Sequence, residues 1–218
     1  MAALWESKSL ATWNAALASY EEVVAAQGVA SLARLDTWYR DTLPGAIAAR
    51  SRPHVTHAEI VRLTEWKMAR GVWRARNLAL VRGNEPADVV ALSTEALAEA
   101  LGREPHPTAP IATLTQLAGV GPATASAVMA AAVPAVYPFF DELVAAQIPA
   151  GGPVAFTLSY YARYAASLRE RAARLGPGWT PVMVERALWA HAGGKSGVTL
   201  RDTARPPKGR TGRGRASR

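Results

Sequence analysis

Apolar residues recur along this chain at three- and four-residue steps, not in alternation. Leu10, Trp13, Leu17, Tyr20 and Val24 share one helical face, with Gly28 positioned to stop the run. A second stripe through Leu32, Leu35, Trp38 and Tyr39 is expected to close before Pro44, since proline inside a helix lacks the amide donor and crowds the preceding turn. "RSRPHV" reads as a loop. Thr56 with Glu59 three residues on matches a capping box, opening a helix through Ile60, Leu63 and Trp66 towards Gly71. "VWRARNLALVRG" predicts another short helix and "EPADVVALSTEALAEALG" one or two more. The proline-rich connector "REPHPTAP", residues 103–110, leads into a helix–turn–helix over 111–133. "IPAGGP", residues 148–153, breaks the chain again, and Leu158, Tyr161, Tyr164 or Ala165, and Leu168 mark one face of the following helix. Thr180 before Pro181 starts the last helix, an N-cap side chain followed by proline at the first helical position, and Gly193 ends it.

No strand-type alternation and no fixed-period repeat interrupt this pattern. The expected fold is all-α, about eight to ten short helices arranged in two lobes. One domain is expected over 1–198, followed by a Gly/Arg/Pro-rich tail over 199–218 with too little apolar surface to fold.

Composition narrows the chemistry. The 218 residues are half hydrophobic and suffice for one sizeable core. The absence of cysteine excludes disulfides, thiol nucleophiles, cysteine-ligated zinc and iron–sulfur clusters. The most apolar stretch, residues 125–140, is interrupted by Ser126, Pro134 and Pro138, too short and broken for a bilayer span. The start shows no basic segment ahead of an apolar block, so no secretory signal is read and an intracellular protein is expected. His54, His57, His106 and His191 are scattered, none at metal-ligand spacing with carboxylates, so no metal site and no cofactor is expected.

Net charge is +8, unevenly placed: residues 201–218 hold seven basic groups and one acid, leaving 18 basic and 16 acidic groups in the first 200. The tail can neutralise phosphates without sequence preference, log K falling by about 0.9 per log unit of salt for each one. Nucleic-acid binding by the body must rest on local patches.

One stretch has the form of a binding device: "LAGVGPATASAVMAA", residues 117–131. Gly119 and Gly121 permit left-handed angles and leave no side chain between the turn amides and an anion. Val120 points inward to pin the two helices. Pro122 suits the first helical position, so the free amides and positive dipole end of the second helix would face a phosphate. The alternative is a tight corner between helices with no ligand.

"LTQLAGVGPATASAVMAA" resembles the helix–hairpin–helix of the DNA glycosylase superfamily, whose leucine, Gly-Val-Gly turn and Thr-Ala pair match Leu117, Gly119, Val120, Gly121, Thr124 and Ala125. In that superfamily a Gly/Pro-rich segment with an essential aspartate follows, and here "VPAVYPFFDE" supplies Pro134, Pro138 and Asp141. The lysine that forms a Schiff base in bifunctional members is matched by Ala123, so the resemblance implies at most a monofunctional hydrolase. It also implies a monovalent cation on hairpin carbonyls. "EWKMARGVWRARNLALV", "FFDE" and "WTPVMVERALWA" extend the likeness to the Amun-like helix–hairpin–helix proteins of animals and fungi, over about residues 56–192.

The resemblance gives Asp141 the role of stabilising an oxocarbenium-like sugar and positioning water; the residues alone also allow a helix N-cap. Gly119, Val120, Gly121, Pro122 and Thr124 are the expected DNA contacts of the hairpin. Lys67, Arg70 and Arg74 share a face if their helix continues past Gly71, giving a phosphate-binding stripe or a lysine facing the cleft; the alternative is a solvated basic face with Trp66 and Trp73 in the core. Tyr137, Phe139 and Phe140 could stack on an extruded base or simply fill the core. Two functions are thus expected of a nuclear partner of double-stranded DNA: a monofunctional base-excision glycosylase, or a catalytically silent DNA- or chromatin-binding module. A protein-interaction scaffold is the third.

Overall fold

A computed structural model describes residues 3–149 and 152–198; the basic tail lies outside the described residues. Among those residues there is no β-strand, and the secondary structure is helical throughout. The helices are α1 (Leu10–Ala18), α2 (Tyr20–Ala25), α3 (Leu32–Thr37), α4 (Leu43–Ala48), α5 (His57–Arg70), α6 (Ala75–Arg82), α7 (Pro86–Ala100), α8 (Ala109–Leu114), α9 (Pro122–Ala132), α10 (Glu142–Ala145), α11 (Leu158–Leu175) and α12 (Pro181–His191). None of them is long and apolar enough to cross a membrane.

The predicted boundaries have identifiable causes. Thr56 accepts from Glu59 N while the Glu59 side chain accepts from Thr56 N, completing the capping box of α5. Thr157 caps α11 through Tyr160 N, and Thr180 caps α12 through Met183 N ahead of Pro181. Pro44 does not close its helix as expected. A wide turn over Trp38–Thr42, in which Leu43 N reaches back to the Trp38 carbonyl, leads into α4 with Pro44 in its first turn. A first turn requires no amide donor, so the proline is tolerated there.

The helices gather around two of their number. α5 packs on α3, α6, α7 and α9, and α12 packs on α1, α2, α10 and α11. Their buried apolar residues form one continuous core that includes Trp13, Trp66 and Trp189. Asp36 ties the centre together: one carboxylate oxygen accepts from Tyr20 Oη (2.8 Å) and Trp66 Nε1 (2.9 Å), and the other from Arg40 Nε (2.8 Å). Trp66 stacks on Tyr39 at 3.6 Å, whose hydroxyl donates to the Ala127 carbonyl of α9 at 2.8 Å. These bonds satisfy a buried carboxylate that would otherwise be costly, and they lock α5 to α9. The cleft described next depends on that alignment.

Candidate functional site

Gly119 and Gly121, paired in the sequence, have different roles. Gly119 has φ +74°, and a Cβ there would lie 2.6 Å from the Asn77 carbonyl oxygen and 2.8 Å from Leu80 Cβ. It is a glycine because α6 passes directly over it. Gly121 has φ −99°, an extended value open to any residue, and nothing lies within 4 Å of a Cβ built on it. Only Gly119, then, needs left-handed freedom, and only Gly121 borders open space. Val120 is buried as expected. The amides of Gly121 and Ala123 donate to no described carbonyl, whereas Thr124 N and Ala125 N are engaged by the Gly121 carbonyl. Thr124 is 1% exposed, so its side chain and that of Val120 hold the turn and cannot touch a ligand.

Asp141 is positioned by three elements. Ahead of it, the Pro138 and Phe139 carbonyls accept from Tyr161 Oη (3.1 Å) and Tyr164 Oη (2.6 Å) of α11, and Phe140 N donates to Ser126 Oγ of α9 at 2.9 Å. Asp141 Oδ1 then accepts from Leu143 N (2.9 Å) and Val144 N (3.2 Å), capping α10. Oδ2 takes no part in the cap. It lies 3.9 Å from Arg70 Nε, too far for a direct hydrogen bond. The residue lines a cavity of about 370 Å³ whose wall also includes Lys67, Arg74, Ala123, Phe140, Phe156 and Lys195. That volume falls within the range of small-molecule sites, about 300–1,000 Å³.

The three basic residues expected to form one stripe separate. α5 stops at Arg70 with Gly71 as its C-cap, and Arg74 is the residue before α6, so no single helix carries them. Arg70 is 2% exposed and donates from Nη2 to Glu185 Oε1 at 2.5 Å. Its guanidinium lies 4.6 Å from the Trp189 ring centre and 5.2 Å from that of Phe139. A side chain so enclosed cannot reach a phosphate; Arg70 is a buried counter-charge. Burial pushes the Glu185 carboxyl up to about 7, against the pull of Arg70, and Asp141 adds to the rise. For Arg70, burial is the largest influence and works against the charge, but Glu185, Tyr20, Asp141 and Asp36 together outweigh it and hold the guanidinium protonated.

Lys67 and Arg74 do face the cavity. Lys67 is half-buried, and its ammonium makes no hydrogen bond or ion pair with a described residue. Burial, with Arg74 beside it, lowers its ammonium from 10.5 to about 8. Lys195, on the loop after α12, donates to the Gly71 carbonyl and completes the rim. Trp73 is 58% exposed, not in the core. Phe139 and Phe140 line the cavity from buried positions, while Tyr137 is buried away from it with its hydroxyl on the His106 carbonyl. Among the described residues no group of three or more His, Asp or Glu could hold a metal ion.

Glu185, Lys195 and Phe156 are absent from the expected set. For Glu185 the signal was legible: Val182, Glu185 and Trp189 follow the apolar period of α12, as Leu63, Trp66 and Arg70 follow that of α5. A charge on each buried stripe implies a partner across the core. Lys195 and Phe156 reach the cavity from loops, where no periodicity exists to read. No protein-family model matches the chain, and neither a curated protein nor a solved structure is similar to it.

Proposed function

We propose that this chain is a nuclear protein that binds double-stranded DNA through a helix–hairpin–helix formed by α8, the turn and α9. In this reading its helices, gathered around α5 and α12, form the two lobes of a glycosylase-like fold related to the Amun-like proteins, and it hydrolyses the N-glycosidic bond of a damaged or mismatched base. The observation that carries the reading is Asp141: its Oδ1 caps α10 while the residue lines a cavity that also borders Ala123 in the first turn of α9. A phosphate held by the unengaged amides of Gly121 and Ala123 would set an extruded nucleotide at the mouth of that cavity.

The chemistry follows from the cavity wall. As the C1′–N bond lengthens, positive charge grows on the sugar and negative charge on the base. The Asp141 carboxylate stabilises the first, and the cationic rim of Lys67 and Lys195 the second. Water then attacks C1′ and gives a proton to the carboxylate, which returns it through solvent to the departing base. Of the turn carbonyls, those of Gly119 and Val120 accept no described backbone hydrogen bond. A monovalent cation there would need water or a phosphate oxygen to complete its shell, and no step runs through one.

Single-turnover incubation with duplexes carrying alkylated, oxidised, deaminated or mismatched bases should yield abasic sites that Asp141→Asn abolishes. Asparagine is also a good N-cap, so folding should hold within about 0.5 kcal/mol. Gly121→Glu, which fits the backbone, should weaken duplex binding at least tenfold. If no lesion is processed but binding responds to Gly121→Glu, the silent DNA-binding module replaces the enzyme. That reading has its own support in the small exposure of Asp141, 8%. If Gly121→Glu binds duplex as the parent does, the hairpin reading fails.

A further inference from the structure

The cavity wall has more cationic donors than acceptors to receive them. The Lys67 ammonium, in the last turn of α5, makes no hydrogen bond or ion pair with a described residue. Arg70 Nε, buried on the same wall, has no acceptor within hydrogen-bonding distance among the described residues. The two carboxylates lining the cavity do not fill the gap. Asp141 gives Oδ1 to the α10 amides and faces Arg70 with Oδ2 at 3.9 Å, while Glu142 is exposed to solvent. Desolvating a cation without supplying an acceptor is costly, and the missing partner is an anion. With its ammonium lowered to about 8, Lys67 is still about nine-tenths charged at pH 7. Much of the remaining lining is apolar. The rings of Phe140 and Phe156 lie 5.0 Å apart, and Val72 and Leu143 line the same space. Phe156 is 44% and Val72 49% exposed, so both present apolar surface that nothing in the chain covers.

We infer that this cavity binds a small organic monoanion, a carboxylate on an aryl or alkyl body, with the carboxylate on the Lys67 ammonium and the body against Phe140, Phe156 and Val72. The charges select a single negative head. Arg70 is matched by Glu185, so Lys67, Arg74 and Lys195 stand against Asp141 and Glu142, which leaves one positive charge in excess. Arg74 and Lys195 are exposed and screened by water, so Lys67 is the cation the ligand has to meet. The apolar wall selects the body. A bare inorganic anion would leave Phe156 and Val72 in water, whereas a ring or chain takes both out of it. A cavity of about 370 Å³ has room for such a molecule. This ligand is a free small molecule whose binding needs neither the hairpin amides nor a duplex, so it stands apart from the DNA reading.

The probe is 4-benzoylbenzoate, an aryl carboxylate that also crosslinks on irradiation, compared at pH 7 with the uncharged 4-benzoylbenzamide. Calorimetric titration of the full chain should show saturable binding of the acid, at least about tenfold tighter than that of the amide. Lys67→Met should bind acid and amide alike, within about threefold, while the exposed Lys8→Met should keep the preference of the parent. Phe156→Ser should weaken both probes by at least about threefold. Inorganic phosphate, which has charge and no apolar body, should not displace the acid at equal concentration. Irradiation should place the crosslink on peptides containing Lys67, Val72, Phe140 or Phe156. No saturable binding up to about 5 mM, or equal affinity of the parent for acid and amide, overturns the assignment. So does displacement by equimolar phosphate, a Lys67→Met chain that keeps the preference, a Phe156→Ser chain that binds as the parent does, or a crosslink confined to other peptides. The comparison of acid with amide is made on the parent and requires no variant to fold. Duplex binding enters none of these outcomes, so the DNA reading stands or fails separately.

Discussion

Replacing Gly119 with alanine puts a methyl group where α6 already lies. At φ +74° the backbone conformation alone should cost an L-residue about 1–2 kcal/mol. The new Cβ would also meet the Asn77 carbonyl oxygen at 2.6 Å, Leu80 Cβ at 2.8 Å and Val81 N at 3.0 Å. Two of these are backbone atoms of one helix, so relief requires moving α6 away from the turn, and overpacking of this kind costs about 1–3 kcal/mol. The two contributions together give about 2–5 kcal/mol, which for a chain of this size lowers Tm by about 5–15 °C. Gly121→Ser is the matched control. Its φ of −99° is ordinary, nothing lies within 4 Å, and serine is a better N-cap for α9. It should leave stability unchanged or raise it by a few tenths of a kcal/mol. Urea denaturation followed by tryptophan fluorescence measures both, supported by calorimetry. If Gly119→Ala stays within 0.5 kcal/mol of the parent, or Gly121→Ser loses as much as Gly119→Ala, the division of roles between the two glycines is wrong. The same contrast makes position 121, not 119, the place to probe ligand binding, because a side chain at 119 would confound binding with unfolding.

The buried pair makes a second prediction. Arg70→Met or Glu185→Leu alone strands a charge in the core and should cost about 3–5 kcal/mol, while the two together should recover most of it in urea midpoints; additive losses would refute the pairing. Lys67 gives the third. In the unfolded chain its amine titrates near 10.5 and in the folded chain near 8, so below pH 8 both states hold the proton and the burial penalty is at its full size. Between those values only the unfolded chain holds it, so the stability of the parent relative to Lys67→Met should rise from pH 7 to pH 9.5. A flat or falling difference would show that the ammonium is not desolvated. Arg70, Arg74, Asp141, Glu142 and Lys195 line the same cavity, so the comparison with Lys67→Met serves to cancel their shared titrations.

Local sequence rules determined most of the helices. The capping box at Thr56–Glu59, the Thr180–Pro181 start, the apolar stripe of α11 and the inward Val120 need only neighbours a few residues away, and periodicity reports those. The N-cap at Asp141 was legible for the same reason. Contacts across the fold were not. Whether Lys67, Arg70 and Arg74 shared a surface depended on α5 stopping at Gly71, and on Glu185 standing 115 residues away to receive Arg70. That Gly119 is forced while Gly121 is free depended on α6 lying over one and not the other. The meeting of Asp141, Lys67 and Ala123 around one cavity joins three segments of the chain that share no spacing. The physical reason is range. Propensity, capping and amphipathic period act within a turn or two of helix, whereas desolvation, counter-charge and cavity shape are set by whichever elements pack alongside, and these govern the chemistry of the site.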